Sequence, residues 1–124
     1  MIYDLTPYAA NSLIDAQNVT GAVNGTGVDL QGREGTVKVC ANIGAVTGTG
    51  TITITIGESA NNSDWTDTTY TISATEADAS NALGIKEVAV DCRNVERYIR
   101  AQVAISGVTA VDLAVTGVVA KKYS

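Results

Sequence analysis

Apolar and polar residues alternate along most of this chain, and the alternation predicts strands. Across residues 36–45, Val37, Val39, Ala41 and Ile43 share one parity while Lys38, Cys40 and Asn42 take the other, as a strand with one buried face requires. Residues 50–57 repeat the pattern with Ile52, Ile54 and Ile56 against Thr51, Thr53 and Thr55. Threonine suits the wet face because its branched side chain fits the pleat and its hydroxyl meets water. Between the two runs, Val46-Thr47-Gly48-Thr49-Gly50 supplies the glycines a turn with positive φ needs, so the runs are expected to pair as an antiparallel hairpin.

Further strands are expected at Trp65 to Ser73, with Tyr70 and Ile72 on one face, and at Lys86 to Asp91, with Val88 and Val90. Arg97 to Ser106 turns Ile99, Ala101, Val103 and Ile105 inward before Ser106-Gly107 breaks it. The closing run, Val111 to Lys121, carries Leu113, Val115 and Val119 on one parity. Its other parity ends apolar at Val118 and Ala120, an end expected to be covered on both faces. Near the start, Thr6-Pro7 has the form of a helix N-terminus, so Tyr8 to Ala16 reads either as one or two helical turns or as an extended arm. Asn18 to Val23 and Val28 to Leu30 are short strand candidates, and Ser73 to Leu83 reads as a loop or a single helical turn. Seven or eight strands with turns every eight to twelve residues predict an all-β fold, an antiparallel β-sandwich or barrel.

Composition narrows the chemistry. The 124 residues make one domain, with residues 1–12 as the arm or short helical turn and 13–124 as the β domain. Histidine is absent, which removes Ser-His-Asp and Cys-His nucleophile systems and the common zinc sites. Glu76 and Asp78 sit in sequence without basic or aromatic neighbours that would split their pKa values, so no acid–base pair is expected and the chain is not read as an enzyme. No cofactor or metal is expected. A net charge of −5 disfavours nucleic acid, and no apolar run is long enough for a spanning helix. The first residues lack a basic n-region, so synthesis in the cytoplasm without a signal peptide is the expectation. Cys40 and Cys92, 52 positions apart, could in principle pair, but they belong to no C-x-x-C motif and free thiols are the expectation, with Cys40 read as inert.

Two stretches carry candidate contacts. Ser59 to Asp67 is the longest polar loop and holds Trp65, the single tryptophan; its Asp64 and Asp67 lack EF-hand spacing, while an aromatic beside Asn and Asp suits either packing under the sheet rim or stacking on a sugar. Asp91 to Arg100 concentrates both signs of charge with Tyr98, and Arg97 and Arg100 there suit an interface rim.

The order of segments resembles a group of small structural proteins of tailed bacteriophages, some of them head decoration or capsid-stabilising proteins. The resemblance is carried by Tyr3-Asp4-Leu5-Thr6-Pro7, by Gly27-Val28-Asp29-Leu30-Gln31-Gly32-Arg33-Glu34-Gly35-Thr36-Val37, by Ile56 to Asp67, and by the closing stretches Val90-Asp91-Cys92-Arg93, Arg97-Tyr98-Ile99-Arg100-Ala101 and Thr116 to Tyr123. It spans nearly the whole chain but is a style of β-rich sequence rather than a catalytic signature. It implies a β-sandwich, jelly-roll-like, on the outer capsid surface of the virion. There it would bind the major capsid protein, bridge capsomers and associate with itself as a homotrimer. Under that resemblance the contact residues are Tyr3, Leu5, Pro7 and Tyr8 of the arm together with Trp65, Arg97 and Arg100. A tail or adaptor component and a carbohydrate-binding module are the competing expectations.

Overall fold

The computed structural model describes residues 8–31, 33–75 and 85–121. Seven strands form one antiparallel sheet: β1 (Tyr8–Val19), β2 (Val23–Asn24), β3 (Val28–Asp29), β4 (Arg33–Ser59), β5 (Thr66–Thr75), β6 (Ile85–Asp91) and β7 (Tyr98–Lys121), with a short 3-10 turn at Cys92–Asn94. The length of β4 and β7 shapes everything else. They run side by side from Arg33↔Lys121 to Ser59↔Tyr98. β1, β2 and β3 follow one another along the free side of β7, while β6 and β5 divide the free side of β4.

This four-row sheet is bent across its middle. The expected hairpin at residues 46–50 is not formed: residues 36–42 pair with β6 and the C-terminal part of β7, residues 51–58 with β5 and the N-terminal part of β7. The glycine-rich segment is a corner within one strand, and Gly107 is the matching corner of β7 rather than a break. Both Gly48 and Gly107 have positive φ, 94° and 80°, which only glycine adopts without strain. A Cβ on Gly107 would run into the carbonyl oxygen of Thr49, and one on Gly50 into that of Ser106. Larger residues would hold the two backbones apart where they turn together.

The corner yields two four-row layers. One holds β1, residues 111–121 of β7, residues 33–47 of β4, and β6; the other holds β2 with β3, residues 98–106 of β7, residues 51–59 of β4, and β5. The chain changes layer repeatedly as it runs through them, and this strand order is that of a jelly roll. Inward residues of both layers form one cluster, with Val39, Ala41, Ile52, Ile54, Ile56, Val90, Ile99, Ala101, Val111 and Val115 fully buried. Each layer covers the other. β4 carries one residue more than β7 between the rungs Ile43↔Leu113 and Ile52↔Ile105, so its inward parity switches at the corner from Val37, Val39, Ala41 and Ile43 to Ile52, Ile54 and Ile56.

One open choice is decided and one further expectation corrected. Of the two readings for residues 8–16, the chain takes the extended one, as a strand of the sheet, because pairing with residues 116–120 satisfies its backbone without local turns; Thr6-Pro7 lies outside the described residues. Val118, expected under a second layer, is 39% exposed on the outer face. The segment 76–84, with Glu76 and Asp78, also lies outside the described residues.

Candidate interaction surface

Opposite the corner, the two layers meet at an open end. Asp29 and Arg33 are joined by a connection that spans at most about 14 Å, which ties the end of β3 to the start of β4 in the other layer. The 3-10 turn makes the same crossing from β6 to β7. Tyr8, paired with Ala120, begins β1 at this end, and the loop from β4 to β5 emerges here too.

That loop is organised by its own polar side chains. The Asn61 side-chain oxygen accepts hydrogen bonds from the Ser63 and Asp64 amides, both at 2.9 Å, and the Ser59 hydroxyl accepts from the Asn61 and Ser63 amides at 3.2 and 3.3 Å. Asn61 also donates through Nδ2 to Asp64 Oδ2 at 2.9 Å. Such side-chain turns are what Asn and Ser do best in short loops. Ser59 is thereby buried and satisfied, and Asn62 takes a left-handed φ of 61°. The loop folds back until Asn62 and Trp65 reach Gly27, where a Cβ would collide with the Asn62 side chain.

Trp65 is half-buried, with the Arg100 guanidinium 4.5 Å from its ring centroid. Stacking of this kind contributes about 0.5–1 kcal/mol at exposed sites and more when desolvated. Arg100 Nε is buried and has no hydrogen-bond partner among the described residues, and the guanidinium lies over the ring. Its neighbour is held differently. Arg97 grips Asp29 with two bonds, Nε to Oδ1 at 2.9 Å and Nη2 to Oδ2 at 2.8 Å, and its guanidinium carbon lies 5.1 Å from the Tyr98 ring centroid. The hydrogen bonds to Asp29 raise the Arg97 pKa above its ordinary value. Both side chains are more than 40% exposed, so the pair fixes geometry more than it adds stability.

On the other side of the crossing, Asp91 caps the 3-10 turn, accepting from the Arg93 amide at 2.9 Å and from its guanidinium at 3.2–3.3 Å. Those bonds hold the Asp91 carboxyl below the usual carboxylate range. Burial, then the Asp91 charge, pushes the Cys92 thiol up. Cys92 lines a shallow pocket of about 290 Å³ with Leu30, Val95, Glu96 and Arg97. The Tyr70 hydroxyl, 3.4 Å from both the Asp91 amide and Asn94 Nδ2, joins β5 to this turn.

Three of the seven contact residues expected from sequence, Trp65, Arg97 and Arg100, therefore share one end of the molecule. Tyr8 joins them by the position of its backbone; Tyr3, Leu5 and Pro7 lie outside the described residues. Asp29 and Gly27 were not singled out in sequence, since nothing local marks a partner 68 positions from Arg97. Cys40 stands apart on the outer face of the β1–β6 layer, its Sγ 4.0 Å from Glu87 Oε2, and both thiols are free. Among the described residues no three His, Cys, Asp or Glu side chains gather in a way that could hold a metal.

No protein-family model matches the sequence, and no curated protein matches it. Among solved structures the chain is similar in fold to the PBSX exported protein XepA, with 22% identity and a TM-score of 0.62 over 98% of this chain. The chain spans 39% of the length of that structure.

Proposed function

We propose that this protein is a structural component of a phage virion that holds the particle through its open end. The observation that carries the reading is the convergence there of β1's start, the Trp65 loop and the Arg97–Arg100 segment, residue types that dominate protein interfaces. A fold shared with a protein of the phage PBSX supports it, as does the resemblance to capsid-decorating proteins. In this reading the outer capsid surface is the site, and the open end lies across adjacent capsomers. The jelly roll is a rigid body presenting loops, and copies joined to one another, in the homotrimer that the resemblance implies, would bind a repeating shell far more tightly than single copies.

The test is reconstitution on shells stripped of the protein. Trp65→Ala and Arg100→Ala are expected to lower occupancy, and removal of residues 1–7 to lower it while the isolated domain stays folded. Undiminished occupancy in all three would remove the open end from the account. Particle density at a tail or connector position instead of the shell would replace capsid decoration with the tail reading.

A further inference from the structure

Asn24 and Gly25 form the chain's one Asn-Gly dipeptide. Asparagine is a chemically labile residue, and a following glycine makes it most so, because a successor without a side chain leaves its backbone nitrogen open to approach. The fold cannot dispense with that glycine. Gly25 does not take a positive φ, but a Cβ there would run into the Leu13 carbonyl oxygen, with Ile14 Cγ1 at 2.9 Å and the Ala101 carbonyl oxygen at 3.0 Å. At this point the chain ties the two layers together. The Gly25 amide donates to the Ala101 carbonyl at 2.7 Å, and the Thr26 amide donates to the Leu13 carbonyl at 3.1 Å. Asn24 itself is exposed, the last residue of β2, and pairs with Gln102.

We infer that Asn24 is a deamidation site that the fold keeps closed, and that it reacts only when the β2–β3 row opens. The reaction is intramolecular. Hydroxide removes the Gly25 amide proton, the nitrogen attacks Asn24 Cγ to form a C–N bond, and the bond from Cγ to the side-chain nitrogen breaks with release of ammonia. Water then opens the resulting succinimide at either carbonyl, leaving aspartate or isoaspartate in place of asparagine. Two features of the folded chain oppose the first step. The N–H of the attacking nitrogen is committed to Ala101, and that bond must break before the proton can leave. Ring closure also needs a ψ at Asn24 far from the extended value of a strand residue. Detachment of the row lifts both obstacles together, and the row is short: β2 and β3 each pair with β7 over two residues, the kind of segment that opens locally without global unfolding. Isoaspartate would then lengthen the main chain by a methylene between residues 24 and 25 and move Gly27 and Asp29 out of place beside Trp65 and Arg97.

The experiment incubates the full chain at mildly alkaline pH, folded in buffer and unfolded in urea, and follows every asparagine by peptide mapping with mass spectrometry and isoaspartate labelling. In the unfolded chain Asn24 should react ahead of all other asparagines. In the folded chain its loss should slow by at least about tenfold, since only the open fraction reacts. At urea concentrations below the unfolding transition, Asn24 deamidation and hydrogen exchange of the Gly25 amide should rise in proportion, because the same N–H must be freed for both. A smaller slowing on folding, another asparagine leading in the unfolded chain, or deamidation that stays constant while Gly25 exchange rises would each overturn the inference. None of these outcomes bears on shell occupancy.

Discussion

Four glycines separate the two demands of the corner, and their alanine variants make a quantitative test of it. Gly21 has open space around its Cβ position and no positive φ; Gly35 has open space but a φ of 79°. Gly50 has no positive φ but would press a Cβ into the Ser106 carbonyl, with Gly107 Cα at 2.8 Å. Gly107 combines a φ of 80° with the Thr49 carbonyl and Gly50 Cα at 3.2 Å. Replacing glycine with alanine where both fit stabilises by about 0.4–1 kcal/mol through the unfolded chain, so Gly21→Ala should be neutral to stabilising. Left-handed backbone costs an L-residue about 1–2 kcal/mol, which leaves Gly35→Ala mildly destabilising. Overpacking adds about 1–3 kcal/mol, so Gly50→Ala should be destabilising and Gly107→Ala the worst of the four, near 2–4 kcal/mol. With an m-value of about 1–3 kcal/mol/M, urea unfolding followed by circular dichroism would place the Gly107→Ala midpoint roughly 1–2 M below wild type. The account fails if Gly107→Ala costs no more than Gly35→Ala, or if Gly50→Ala is as benign as Gly21→Ala.

Three other outcomes are open to measurement. Trp65→Ala should lower the unfolding free energy by about 1–3 kcal/mol, and Arg100→Lys, which keeps charge but loses the planar stack, should lose part of that; equal stability in both variants would deny the stack any role. In a Cys40→Ser background, the remaining Cys92 thiol should react slowly with a disulfide reagent at neutral pH and quicken only above the ordinary thiol range, because burial disfavours its thiolate. A normal rate at neutral pH would contradict that. Asp91, whose pKa is lowered in the folded state, contributes stability that is present above its unfolded value and lost as pH falls through the folded one. An NMR titration of its carboxyl should therefore show a midpoint below the ordinary value of about 3.9, and Arg93→Ala should move it part of the way back, since the amide of residue 93 still donates to the carboxylate.

The alternation of Ile52, Ile54 and Ile56 with threonines, and of Ile99, Ala101 and Val103 with polar neighbours, was enough to read the strands, their inward faces and the all-β class. What it could not distinguish was a turn from a corner. Gly48 and Gly50 supply the same local freedom whether the chain reverses or bends, and the choice depends on partners far away, β6 on one side of the corner and β5 on the other. The parity change from Ile43 to Ile52 is a trace of the bend, but a hairpin tolerates it equally. At the open end, Trp65, Arg97 and Arg100 stood out by residue type. Their arrangement depends on Gly27 and Asp29, whose roles follow from a β2–β3 row held by bonds such as Gly25 N to the Ala101 carbonyl at 2.7 Å.

The shared central ladder has a consequence for how the molecule comes into being. β4 belongs to both layers, yet its whole length waits for β7, which begins at Tyr98 and closes on Lys121. While the chain emerges from a ribosome, β4 can pair with β5, and once residues 85–91 are out with β6, but neither layer can be finished before β7 has emerged. Pairings this distant in sequence make for slow folding. Since each layer contains half of the same two strands, no stable half-molecule can accumulate on the way. The corner that shapes the fold thus also makes both layers wait for one strand, β7.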